Sequence, residues 1–292
     1  MSTEPEQARR PRRRFDPWGV GGWIFLLLLL LFAMLPMLWM LVTSVKTQFA
    51  ALQYPPEWIP SNPNLDQYKR LLSPQNEIGG QFLRYMLNSI WVSTATTIIG
   101  VAIAVPAAYA FSRFRFPGRN VLFFSVLFRN MFPAVVFLMP LFIMMRFMGL
   151  VNTYSSLILT YLTFGLPLSI WLLKGFYDNI PVQLEQAARI DGCTRFQAFL
   201  LVVMPLSAPG IVATAIYSFI TAWNEYVYAL TFLNSDEKLT LPVGLQRFFA
   251  EYATNWPGLM AASFIMSVPV VVMFLVLQKY FVRALTEGAV KA

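Results

Sequence analysis

The chain contains no histidine and a single cysteine, Cys193. The first absence removes the commonest general acid–base, leaves no His-based catalytic triad and takes away a principal zinc ligand; the second rules out an internal disulfide framework. On the loop that carries it, Cys193 reads as a reduced, small packing residue. No Gly-x-x-x-x-Gly-Lys-Ser/Thr run occurs, so any ATP chemistry associated with the chain must belong to another polypeptide. Charge is scarce as well. Only 12% of the 292 residues are charged and 57% are hydrophobic, a balance that fits a membrane domain and no soluble one.

What the chain has in abundance is apolar length. A window of membrane-crossing size gives six candidate helices, at about 22–45, 86–111, 121–145, 153–176, 205–233 and 258–282. The expected fold is an all-α integral membrane protein of six transmembrane helices, with a basic tail over 1–21 and one polytopic domain over 22–292. Every candidate span holds proline: Pro36, Pro106, Pro133 with Pro140, Pro167, Pro205 with Pro209, and Pro269. Membrane helices tolerate proline. They also kink at it around a path, where neighbours or cavity water satisfy the freed carbonyls.

Lys and Arg set the orientation. Alternating segments that begin with the N-terminal tail carry fourteen of the 22 basic residues, including Arg9, Arg10, Arg12, Arg13, Arg14, Arg113, Arg115, Arg119, Lys174, Arg189 and Arg195. The intervening loops carry seven, and Arg129 lies inside a span. Positive-inside bias places both termini and the 177–204 loop in the cytoplasm. The run that follows Arg14 is too long for a signal peptide and lacks a small-residue exit, so it reads as the first span. The net charge of +8 is mostly this topology signal, and no nucleic-acid partner is expected.

One stretch interrupts the apolar pattern, PVQLEQAARIDGCTRFQAFLLVVMPLSAPG over 181–210. Asn179 and Pro181 form a helix-start signal, and a short helix is expected to about Asp191, where Gly192 can take the left-handed conformation that ends it. Leu184, Ala187, Ala188 and Asp191 share one narrow face, whose two alanines admit a close partner. Thr194 is placed to cap a second short helix carrying Phe196 and Phe199. The pattern Glu185-x-Ala187-Ala188-x-x-Asp191-Gly192, followed by Pro205 and Pro209, resembles the EAA loop of permease subunits of bacterial ABC importers. Gln186 stands where many members have a second acidic residue, and Cys193 where alanine is usual. The resemblance implies a cytoplasmic coupling helix that docks on a separate ATPase through Leu184, Glu185, Ala187, Ala188, Asp191 and Gly192. ATP and Mg would then be held by that partner, and this chain would hold no cofactor.

Polar groups inside spans mark candidate functional positions. Trp223, Asn224, Glu225 and Tyr226 in the fifth span combine a carboxylate and an amide with two aromatic rings, the chemistry that binds sugar hydroxyls and the apolar faces of sugar rings. The other reading puts Glu225 at the outer water boundary as a cap. Arg129 and Asn130 in the third span pose the same question, and Arg129 could instead pair with Glu225. A stand-alone secondary transporter of a small polar solute is the alternative to an importer subunit, but one intramembrane carboxylate gives it thin support.

The resemblance continues through Asn88-Ser89, Tyr109-Ala110-Phe111, Phe116-Pro117-Gly118, Met131-Phe132-Pro133, Gly149-Leu150-x-Asn152-Thr153 and Gly288-Ala289-Val290-Lys291. These look like the MalG-type subgroup, which imports maltose, maltodextrins, trehalose and related sugars. Ala284, where Gly is usual, and the final Ala292 depart from its pattern at a tail that reaches the ATPase dimer in the subgroup. The implied assembly is a MalF-type second permease subunit, two ABC ATPase subunits and an extracytoplasmic sugar-binding protein. It would sit in the bilayer of a bacterial inner membrane and move a disaccharide or oligosaccharide.

Overall fold

A chain in lipid must satisfy its own N–H and C=O groups, and every regular element among the described residues is helical. The computed structural model describes residues 17–246 and 254–289, with side chains over 21–246 and 254–278. The expected basic run from Arg9 to Arg14 and the tail residues 290–292 lie outside them. Helices α1 (Pro17–Ser44), α2 (Gln48–Leu52), α3 (Asp66–Leu72) and α4 (Glu77–Arg113) are followed by α5 (Arg119–Phe128) and α6 (Leu138–Phe147). Helix α7 (Tyr154–Asn179) leads into the loop helices α8 (Val182–Ile190), α9 (Arg195–Ala198) and α10 (Met204–Leu206). The remainder is α11 (Ala208–Trp223), α12 (Val227–Phe232), α13 (Leu241–Leu245) and α14 (Trp256–Ala289).

Four helices are long and apolar enough to cross a membrane, or six spans if each of two bent pairs counts as one. Helix α4 lies along α7 and α11, α11 meets α14, and α1 lies on α14. The leucine run from Leu26 to Leu31 is exposed, an apolar surface suited to lipid. Ala104 and Ala108 of α4 are fully buried among Leu173 and Tyr177 of α7 and Val203, small side chains that let two membrane helices approach. A second core, around Phe82, Leu157, Trp223, Phe232 and Leu241, fills the opposite half of the bundle.

The expected spans shift where polarity or proline intervenes. The second starts at Glu77, nine residues before the expected 86, because Glu77, Gln81 and Arg84 dilute a hydropathy window without stopping a helix. The third is no single helix. Residues 119–131 and 134–147 meet at 99° on either side of Pro133, which can donate no backbone hydrogen bond. The fifth, expected unbroken over 205–233, stops at Trp223 and resumes at Val227, and it meets the preceding segment Arg195–Leu206 at 73°. Pro36, Pro106, Pro167 and Pro269 sit inside continuous helices, so proline alone does not break a span here.

Candidate functional site

Helix α8 is short, and it is ended as expected by Gly192 at φ +95°. Thr194 caps α9 in a full capping box, its hydroxyl accepting from the Gln197 N–H while the Gln197 side chain accepts from the Thr194 N–H. Asn179 departs from its expected role. It is the last residue of α7, its amide donates to the Gly175 carbonyl, and Pro181 occupies the N-cap position of α8.

Of the expected docking residues, Leu184, Ala187, Asp191 and Gly192 are exposed and Ala188 is half-buried. Glu185 does not belong to that surface. Its side chain is only 9% exposed and receives Arg113 Nε at 2.5 Å and the Tyr109 hydroxyl at 2.8 Å. The reason is register: Glu185 is one residue on from Leu184, so it faces the end of α4 while Leu184 faces out. Ile190 (86% exposed) and Phe196 (68%) extend the open apolar surface beyond the expected set. In the sequence Tyr109 stood out only as part of a family motif and Arg113 only as one of the basic residues that set orientation, so neither was marked as a partner of Glu185.

At the far end of the bundle, asparagines hold the connections. Asn152, at φ +62°, accepts from the N–H groups of Asn234 and Ser235 at 3.1 Å each and donates to the Ser235 hydroxyl at 2.7 Å. Asn88 donates to the carbonyls of Glu237 and Leu239 at 2.9 Å, and Ser89 accepts from the Leu241 N–H at 2.7 Å. Asn88 and Ser89 sit well inside α4, which begins at Glu77.

The cluster in the fifth span lies at its break. Trp223 is buried, stacked on Phe219 at 5.7 Å, with its indole N–H given to the Met266 carbonyl at 3.2 Å. Asn224 is exposed at the C-cap of α11 and donates to the Ile220 carbonyl at 2.9 Å. Tyr226 bonds Gln246 at 3.0 Å. The Glu225 carboxylate accepts from Tyr161 Oη at 2.7 Å, from the Tyr228 N–H at 2.9 Å and from the Ala229 N–H at 3.1 Å. It thus caps the first turn of α12.

Glu225 forms no ion pair with Arg129. The Arg129 guanidinium instead lies on the face of Phe164 at 3.6 Å and bonds the Asn130 side chain. Phe164 in turn packs on Tyr228 at 5.1 Å, and the Tyr228 hydroxyl donates to the Ala134 carbonyl at 2.6 Å. The two broken spans therefore meet through aromatic rings. Among the described residues no group of His, Cys, Asp and Glu could hold a metal ion.

An all-helical bundle with two bent spans and an exposed Gly-ended loop helix matches a family model over residues 96–287, described as the binding-protein-dependent transport system inner membrane component. The chain belongs to this family. It is a permease subunit of a binding-protein-dependent ABC importer, a multi-pass membrane protein and not an enzyme. It is 37% identical over 264 residues to the sulfoquinovosyl glycerol transport system permease protein SmoH of Agrobacterium fabrum, covering 90% of this chain and 91% of that one. The trehalose transport system permease protein SugB of Mycobacterium tuberculosis is 37% identical over 262 residues, 89% of this chain and 93% of its own. A solved bacterial ABC transporter involved in import of the acidic polysaccharide alginate superposes with a TM-score of 0.77 at 24% identity, over 92% of this chain and all of that chain. That likeness extends the fold assignment to nearly the whole length.

Proposed function

We propose that the chain forms one half of a translocation path for a disaccharide or short oligosaccharide and drives it through a separate ATPase. A MalF-type permease subunit would supply the other half, two ABC ATPase subunits would hold ATP and Mg, and an extracytoplasmic sugar-binding protein would deliver the substrate. The observation that carries this reading is the loop helix α8. It has an exposed apolar edge at Leu184 and Ile190, an exposed Phe196 beside it and a rigid turn at Gly192, all outside the bundle. A hydrophobic edge on a short helix whose other side is held by α4 is suited to a groove on a soluble partner.

The sugar class is supported by relatives named for glycosides: sulfoquinovosyl glycerol, trehalose, trehalose with maltose, and diacetylchitobiose. The charge asymmetry supports α8 and both termini on the cytoplasmic side, with the clamped segment at Asn152 and 234–241 outside. The test is co-purification of the chain with a candidate ATPase, and uptake of labelled trehalose, maltose and maltotriose into vesicles holding the assembled complex. Stable assembly without ATP-dependent uptake of any glycoside, alongside uptake of a non-sugar solute, would remove the sugar assignment.

A further inference from the structure

Helix α8 is joined to the membrane helices by three routes, the first being the chain itself, which reaches it from α7 through Ile180 and Pro181. Forward along the chain it continues through α9, the π-helical turn Phe199–Val203 and α10 into α11. That route is compliant, since a π turn is a local departure from α geometry and the segment then bends by 73°. The third route runs through space, to α4. Glu185 is the buried residue of α8, and both of its carboxylate oxygens are held by α4, by Arg113 Nε at 2.5 Å and by Tyr109 Oη at 2.8 Å.

Arg113 also ties in α7, donating through Nη2 to the carbonyl of Ile180 at 2.8 Å. One turn earlier on α4, the Tyr109 ring packs against Tyr177 of α7 at 6.1 Å and Phe199 at 4.4 Å. The pair is shielded from water, with side chains 8% and 9% exposed, and separating it would strand a charge in a poorly solvated place. This link and the short connection from α7 hold α8 to α4 and α7, whereas the forward route to α11 bends.

We infer that motion of the coupling helix enters the membrane domain through the Arg113–Glu185–Tyr109 link, so that α8, α4 and α7 move as one body. The π turn and the bend at Ser207 then let α11 change its angle to that body. Arg113, Glu185 and Tyr109 are positioning residues. The inference rests on the docking reading given above.

The experiment uses the whole transporter in lipid vesicles, with this chain in a Cys193→Ser background. Spin labels at Gln183→Cys and Ile98→Cys report the α8–α4 separation, and labels at Gln183→Cys and Thr221→Cys the α8–α11 separation, each without nucleotide and with ATP trapped by vanadate. The α8–α4 distance should stay fixed while the α8–α11 distance changes. An α8–α4 change as large as the α8–α11 change would overturn the proposal.

In parallel, Glu185→Gln should lower binding-protein-stimulated ATP hydrolysis about tenfold or more, and Tyr109→Phe about threefold, with the ATPase still co-purifying. Wild-type stimulation in both variants would equally overturn it. Should Glu185→Gln not assemble, the distances in the otherwise unaltered chain and the Tyr109→Phe result decide. Failure of the docking reading gives a different pattern: Ile190→Glu on the exposed edge would leave ATPase co-purification unchanged.

Discussion

Replacing Glu225 by alanine separates a cap from a substrate contact. The carboxylate accepts three hydrogen bonds, one from Tyr161 on α7 and two from the N–H groups that open α12. Hydrogen bonds within membrane proteins contribute about 0.6 to 2 kcal/mol each, and those to a charged acceptor reach about 3. Losing all three at once should therefore cost about 2 to 9 kcal/mol. That is a large part of the stability of an ordinary domain, about 5 to 15 kcal/mol. Glu225→Gln keeps one acceptor oxygen but sets an NH2 group against the Ala229 N–H, so a loss of about 1 to 3 kcal/mol is expected. Complex yield and thermal stability in detergent should fall in the order wild type, Gln, Ala. Complexes that do assemble should keep the wild-type sugar preference, because the carboxylate is already committed to the protein. Wild-type yield with an altered preference in Glu225→Ala would refute the cap and restore Glu225 as a sugar ligand.

Gly192→Val forces a branched side chain into a backbone at φ +95°, at a cost of about 1 to 2 kcal/mol; ATPase co-purification should drop about tenfold while the bundle melts as before, and unchanged co-purification argues against a positioned turn. Gly210→Ala drives a methyl group into the Phe176 ring between α11 and α7, so the melting temperature should fall by an amount matching about 1 to 3 kcal/mol; no change would mean that Phe176 gives way freely. For topology, single cysteines replacing the exposed Gln75 and Asn234 in a Cys193→Ser background should react with an impermeant thiol reagent from outside intact cells. One replacing Arg115 should not, and outside labelling there reverses the orientation.

Much of the fold was legible because lipid leaves few options: apolar length pointed to an all-helical membrane bundle, and the described helices hold four candidate spans, or six if each of two bent pairs counts as one. The loop helix was legible too, since Gly192 and Thr194 act through their own backbone and first neighbours. The breaks were not. Pro106 lies inside a continuous helix while Pro133 lies at a break, so a proline in an apolar run does not by itself say which. The burial of Glu185, which the resemblance counted among the docking residues, was not legible for a similar reason. Its partner Arg113 is 72 residues away, and a charged residue on a short aqueous helix gives no local sign that it will be buried. Arg129 lies on Phe164 instead of meeting Glu225, since a ring 35 residues along the chain offers a cation a face that no spacing rule reveals.

These placements narrow where a solute can be recognised. The polar side chains that stand out in an apolar sequence are largely occupied in holding interrupted backbone. Glu225 caps α12, Asn152 gathers the N–H groups at 234 and 235, Asn88 and Ser89 hold 237–241 against α4, and Glu185 is bound by Arg113. Trp223 is closed off by Phe219 and α14. Of the residues first marked in the spans, Asn224 and Asn130 remain exposed, each at the end of a broken helix. Broken helices in membrane transporters also present main-chain ends to the path. We propose that recognition built on such ends and on the exposed amides of Asn130 and Asn224 would suit hydroxyl-rich solutes, while the caps at Glu225 and Asn152 keep the breaks in place.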